Sequence, residues 1–179
     1  MSFSAIITLF IINAVDLGIK FGPALPSGSL EDNYKPTTAL SGFCLVSNFI
    51  IDYNYSQFRG KINGQENLLL HTITVSYEYP FYEKNNHWLN FSIGGNYNYI
   101  QRKMLSAREQ TYAMGLKYGA GYKYNFPGTA PDLISRLKPA AHTNLYLNQT
   151  IQTRDWNYNQ IMSSNFFFSV MLGISIKIL

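Results

Sequence analysis

The chain has 179 residues and a formal net charge of +4, yet charged residues make up only 13% of it while aromatics reach 16%, with 14 Tyr and 12 Phe. The charged share is half the roughly 25% usual in a soluble domain, the length is that of one domain, and no run of about eighteen apolar residues offers a transmembrane helix. Lys and Arg are scattered along the chain and form no stripe, which argues against a nucleic-acid partner; the lone Cys44 excludes an internal disulfide and a cysteine-cluster metal site.

Residues 1–14 (MSFSAIITLFIINA) are uncharged and apolar. They read either as the hydrophobic region of a secretory signal cut after Ala14, or as an extension of the first strand. Residues 15–179 are then a single domain. Val15, Leu17, Ile19 and Phe21 alternate with Asp16, Gly18, Lys20 and Gly22, the period of two that marks a strand with two different faces. Pro26 to Pro36 is a turn-rich polar loop. Thr38 to Val46 is a strand whose facing stays open, because Phe43 with Leu45 competes with Leu40, Cys44 and Val46.

After a tight turn at Ser47-Asn48, Phe49, Ile51, Tyr53 and Tyr55 alternate with Ile50, Asp52, Asn54 and Ser56. A polar loop from Arg59 to Asn67 leads to a fourth strand, with Leu69, His71, Ile73, Val75, Tyr77, Tyr79 and Phe81 on one face. A short turn at Glu83–Asn86 precedes a fifth, with Leu89, Phe91, Ile93, Gly95, Tyr97 and Tyr99 on one face. Gln101 to Gln110 reads as a charged loop. In the sixth strand Tyr112, Met114, Leu116, Tyr118, Ala120, Tyr122 and Tyr124 alternate with Gly115, Lys117, Gly119, Gly121 and Lys123. Pro127 to Arg136 connects to a weaker seventh strand, Ala141 to Asn148, and a polar loop from Thr150 to Ser163 leads to the last.

The last strand is the clearest. Phe166, Phe168, Val170, Leu172, Ile174, Ile176 and Ile178 are all apolar, and between them stand Phe167, Ser169, Met171, Gly173, Ser175 and Lys177. Its length suits a bilayer crossing of about 9–11 tilted residues better than the five or six usual in a soluble sheet. Gly173 followed by Ile174, Ile176 and Ile178 resembles the C-terminal β-signal of outer-membrane barrels. It departs from that pattern at Met171, a position often polar, and at Leu179, where an aromatic is usual.

The reading is all-β: an eight-stranded antiparallel up-and-down transmembrane β-barrel with both termini on the periplasmic side. Its predicted outward aromatics fall into two belts around an aliphatic band of Ile73, Val75, Ile93, Leu116 and Leu172, as interfacial rings should. An eight-stranded barrel is just wide enough to be filled by side chains, so no open pore is expected. The charges predicted inside are Asp16, Lys20, Asp52, Glu78, Lys117, Lys123 and Lys177. Buried charges must pair, and Asp16 with Lys177 is the pair expected where the first and last strands close the barrel.

The chain as a whole resembles the small eight-stranded bacterial outer-membrane barrels of the OmpA/OmpX type. That resemblance implies the bacterial outer membrane as location, the bilayer and lipopolysaccharide as surroundings, and the barrel assembly machinery as a partner in biogenesis. It also implies a structural, adhesive or interaction role carried by the four outer loops, with a protein partner there. The alternatives are a lipid A-modifying enzyme of the same architecture and a soluble lipocalin-like carrier. Some such barrels are lipid A deacylases with a His-x-Ser pattern, but His71 is followed by Thr-Ile and His142 by Thr-Asn. His71, His87 and His142 lie on separate strands or their edges, so no catalytic residue, cofactor or metal site is expected.

Overall fold

The computed structural model describes residues 15–27, 29–62, 66–126, 138–153 and 166–178. The 1–14 segment, the 127–136 connection and residues 154–163 of the last loop lie outside the described residues. Eight strands, β1 (Val15–Pro26), β2 (Thr37–Val46), β3 (Phe49–Arg59), β4 (Asn67–Lys84), β5 (His87–Lys103), β6 (Arg108–Asn125), β7 (Lys138–Thr153) and β8 (Phe166–Lys177), pair in sequence order and close into a barrel. A short helix, α1 (Ser29–Asn33), interrupts the β1–β2 connection.

All pairings are antiparallel, and β8 closes against β1 with Asp16 opposite Lys177. Following the register from Asp16 through Ser76 and Lys117 to Phe167 returns to β1 at Pro26, ten residues along from the start. A stagger of ten on eight strands tilts each strand by about 40° to the barrel axis and sets the wall at about 16 Å across. One end of the barrel carries the β1–β2, β3–β4 and β5–β6 connections (the loop end). The other carries the two-residue turns Ser47-Asn48 and Asn85-Asn86 (the turn end). Both turns put their first residue in the left-handed region, at φ 55°.

The two faces of each strand are chemically opposite. Asp16, Lys20, Ser41, Asp52, Thr72, Thr74, Ser76, Glu78, Asn96 and Lys117 are buried in the lumen, whereas Ile19, Phe21, Ile51, Ile73, Val75, Ile93, Leu172 and Ile174 are exposed outside. That is the reverse of a soluble carrier, and it is stable only where lipid covers the exterior. In β2, whose facing the alternation leaves open, Ala39, Ser41, Phe43 and Leu45 turn inward. Phe43 fits because Gly18, its Cα partner on β1, has no side chain; a Cβ there would stand 2.4 Å from the Phe43 ring.

The strands are longer than the alternation suggests. Residues 101–110 are not one loop: β5 runs to Lys103 and β6 starts at Arg108. The ladder continues through the Lys103–Arg108 pair, and the Met104 N–H donates to the Ala107 carbonyl at 2.9 Å to close the hairpin. Charge led the sequence reading astray there, since polar residues beyond the bilayer edge pair as well as apolar ones. The β7 ladder likewise extends to Thr153, past the expected strand end.

Candidate functional site at the loop end and the lumen beneath it

The loop after β1 is not a simple polar turn. Leu30 and Tyr34 stand one helical turn apart, and α1 aims both inward, leaving them 0% and 2% exposed. They complete an apolar cluster with Phe58, Leu68, Ile100 and Phe167 at the loop-end mouth of the lumen; the Phe58 and Phe167 rings lie 5.5 Å apart. Backbone bonds stitch this segment to the β3–β4 connection. Tyr34 bridges Gly60, the Lys35 N–H donates to the Arg59 carbonyl at 2.9 Å, and the Lys61 N–H donates to the Asn33 carbonyl at 2.8 Å.

Over this apolar layer sits a polar clasp. The Glu66 carboxylate accepts hydrogen bonds from the Tyr34 hydroxyl and from Nε of Arg102, and Nη1 of Arg102 lies 3.7 Å from Oε2 of Glu109. Partial burial raises the Glu66 pKa, but the bonds from Arg102 and Tyr34 and the guanidinium charge outweigh it and hold the carboxyl below its usual value. Tyr34 is pushed up by burial and by its bond to that carboxylate, so its phenol stays a donor. Sequence reasoning did not single out Tyr34, Glu66, Arg102 or Glu109. The one usable signal was the i, i+4 spacing of Leu30 and Tyr34, the only large apolar residues between Pro26 and Pro36.

Below the apolar layer the lumen is charged. Nζ of Lys117 bonds the Asp52 carboxylate and Nζ of Lys123 bonds that of Asp16. The expected Asp16–Lys177 pair is therefore corrected: Asp16 is held by Lys123. Side chains leaving adjacent strands run side by side, whereas one from across the lumen points at its partner; Lys177 remains half-buried at the turn-end rim. Lys20 lays its ammonium 4.1 Å from the centre of the Phe43 ring, and Glu78 accepts from the Asn90 amide at 2.7 Å. Of the seven predicted lumen charges, the structure thus brings four into two ion pairs and places Lys20 and Glu78 within electrostatic reach of them. Gly173 faces inward beneath Lys20, while Ile174, Ile176 and Ile178 are exposed outside.

His71 and His87 belong to the exterior. Nδ1 of His71 is 2.6 Å from the Tyr53 hydroxyl, and its ring lies 5.1 Å from Tyr55 and 5.8 Å from Tyr99. At the turn end Nδ1 of His87 is 2.6 Å from the Tyr122 hydroxyl. The His142 side chain lies outside the described residues. Both described histidines sit in interfacial aromatic belts, beside tyrosines. Among the described residues no group of three or more His, Cys, Asp or Glu is arranged to hold a metal ion.

No protein-family model matches the sequence, and no curated protein matches it. The barrel is similar to the crystal structure of Neisserial surface protein A (NspA), at 12% identity over 91% of this chain and 96% of that one, with a TM-score of 0.62. Looser likenesses, at TM-scores too low to carry an inference, link it to the N-terminal barrel domain of Pseudomonas aeruginosa OprF (13% identity, 92% and 97% covered, 0.48) and to Ail, the attachment invasion locus protein of Yersinia pestis (12%, 92% and 98%, 0.47). With the closed eight-strand meander, the polar lumen and the apolar exterior already in place, the fold is that of the small eight-stranded outer-membrane β-barrels of the OmpA/OmpX type.

Proposed function

We propose that this chain is a bacterial outer-membrane barrel that acts as an interaction scaffold through its loop end, with a closed lumen. One observation carries the reading: α1 buries Leu30 and Tyr34 in the apolar cluster at the mouth, while the two neighbouring loops present Ile62 and Leu105 at 75% and 79% exposure. Both stand on connections beyond the apolar band, where no lipid tail covers them. A plugged barrel has no aqueous path for solutes, so recognition falls to those tips and to the cations beside them, Lys61, Lys103 and Arg108.

Two measurements test this. Unboiled protein from the outer-membrane fraction should run faster on an SDS gel than boiled protein, and proteoliposomes should not swell in an arabinose gradient. Cells displaying the chain should adhere to surfaces and to one another more than cells displaying the Ile62→Ser/Leu105→Ser variant. Swelling at porin-like rates would refute the closed lumen. Equal adhesion of the two strains would refute the loop-tip role.

A further inference from the structure

Among the described elements, α1 alone stands outside the barrel ladder. Its segment is tied to the wall by the Tyr34–Gly60 bridge, by the Lys35 N–H on the Arg59 carbonyl and by the Lys61 N–H on the Asn33 carbonyl. Breaking those ties disturbs no strand pairing, so α1 can open as a local unit while the ring stays closed. What resists opening is the burial of Leu30 and Tyr34 over Phe58, Leu68, Ile100 and Phe167, together with the clasp above them. Tyr34 belongs to both, because its ring lies in the apolar cluster and its hydroxyl donates to Glu66. Glu66 is fixed on the wall side: it precedes β4, and the Gly60 N–H donates to its carbonyl at 2.7 Å. A carboxylate on the wall thus holds a phenol on the movable segment.

The charges around this latch decide how it responds to acid. The α1 segment carries Glu31, Asp32 and Lys35; the end of β3 and the residues after it carry Arg59 and Lys61; β5 carries Arg102 and Lys103; β6 carries Arg108 and Glu109. Six cations therefore stand against four carboxylates, Glu66 included. Protonating Glu66 weakens the acceptor for Tyr34 and Arg102 and at the same moment enlarges the surplus of positive charge. Both effects favour an open segment. The bonds from Arg102 and Tyr34 outweigh partial burial and hold the Glu66 carboxyl below its usual value while the segment is closed. The latch is therefore at full strength above the ordinary carboxyl value of about 4.3 and is lost as pH falls through the lower closed-state value.

We propose that α1 is an acid-released lid: protonation of Glu66 frees Tyr34 and Arg102, and α1 leaves the mouth, uncovering Phe58, Leu68, Ile100 and Phe167. These four side chains are at most 4% exposed with the lid closed. Uncovered, they form an apolar patch on the same end as Ile62 and Leu105. The Asp52–Lys117 and Asp16–Lys123 pairs lie in the lumen below the apolar layer, so release bares the mouth and not a pore. The lid rests on the interaction reading above only for its consequence, and adds to that reading a condition under which the loop end becomes more apolar.

The test is amide hydrogen exchange by NMR on the folded full chain in detergent micelles, from about pH 6 down to about pH 2, with each rate divided by its intrinsic rate at that pH. The reporters are the Tyr34, Lys35 and Lys61 amides, whose bonds exist only with the lid closed. Their protection should fall roughly tenfold across the carboxyl range, while amides of the β4–β5 ladder keep theirs. Glu66→Gln should show the lowered protection already at pH 6 and no further fall. Arg102→Gln removes the guanidinium that helps keep Glu66 ionised, so its fall should come at higher pH than in wild type. Constant protection in wild type, an undiminished fall in Glu66→Gln, a fall shared by the ladder amides, or an unmoved fall in Arg102→Gln would each overturn the lid. The two readings fail separately: constant protection refutes the lid and leaves the loop-tip role standing, whereas equal adhesion of the two strains described above refutes that role and leaves the lid.

Discussion

Glu66 joins three stretches of chain that are far apart in sequence, because it accepts from Tyr34 before β2 and from Arg102 near the end of β5. Removing its charge leaves a buried phenol and a half-buried guanidinium with a poorer acceptor. Glu66→Gln should therefore cost about 1–2 kcal/mol, between the worth of an exposed pair and that of a charged buried bond, as read from urea unfolding in detergent. The folded pKa of Glu66 is depressed. Its contribution is thus complete above the unfolded carboxyl value of about 4.3 and is lost as pH falls through the lower folded value. Wild type should show a loss of stability in that acid window that Glu66→Gln lacks; identical profiles would mean that Tyr34, Arg102 and Glu109 do not depend on the Glu66 charge. Gly173 makes the complementary point about space. A Cβ there would stand 2.5 Å from Cγ of Lys20 and 2.6 Å from the Ile19 carbonyl oxygen, so Gly173→Ala should cost about 1–3 kcal/mol by overpacking, seen as a lower urea midpoint.

At the scale of the element, α1 is what most separates the structure from the alternation pattern. The strands were legible because lipid outside and a filled lumen inside force a period of two along each of them: the faces of β1, β3, β4, β5 and β8 read from sequence are the faces observed. β2 was ambiguous because both of its faces carry apolar residues, and only the space left by Gly18 decides for Phe43. α1 was missed because five helical residues are too few to show a period. Its fold comes from burying Leu30 and Tyr34 in a cluster supplied by seven strands, a context that the spacing of the two residues does not record. Leu30→Ala should cost about 2–4 kcal/mol if the cluster is as closed as Leu30's burial implies. A loss below about 1 kcal/mol would show that α1 lies on the mouth without sealing it. Ser47 tests the opposite end. Its φ of 55° is a conformation that costs a side-chain-bearing residue about 1 kcal/mol, so Ser47→Gly should raise the urea midpoint.

The barrel as a whole inverts the arrangement of a soluble domain, and the inversion sets what its interior charges can do. With lipid outside, the apolar faces gain nothing by turning inward, and the lumen becomes the place where polar groups find partners. The lower lumen is therefore fastened by Lys117 to Asp52 and by Lys123 to Asp16, each joining strands that are not neighbours in the wall. Such ties resist flattening or shearing of the ring in a way that lateral ladder bonds do not. A buried pair is nonetheless poor evidence of net stability, because desolvating both ions offsets much of their attraction. What it enforces is matching. Lys117→Met alone takes from the Asp52 carboxylate the ammonium bonded to it and should cost about 3–5 kcal/mol. The double variant Asp52→Leu/Lys117→Met removes both members of the pair and should recover most of that loss. Urea unfolding of the single and double variants, with the gel shift confirming that each forms a barrel, measures the difference. Recovery would assign the pair to specifying which strands face one another across the lumen; a double variant as weak as the single would mean that the pair itself holds the barrel closed.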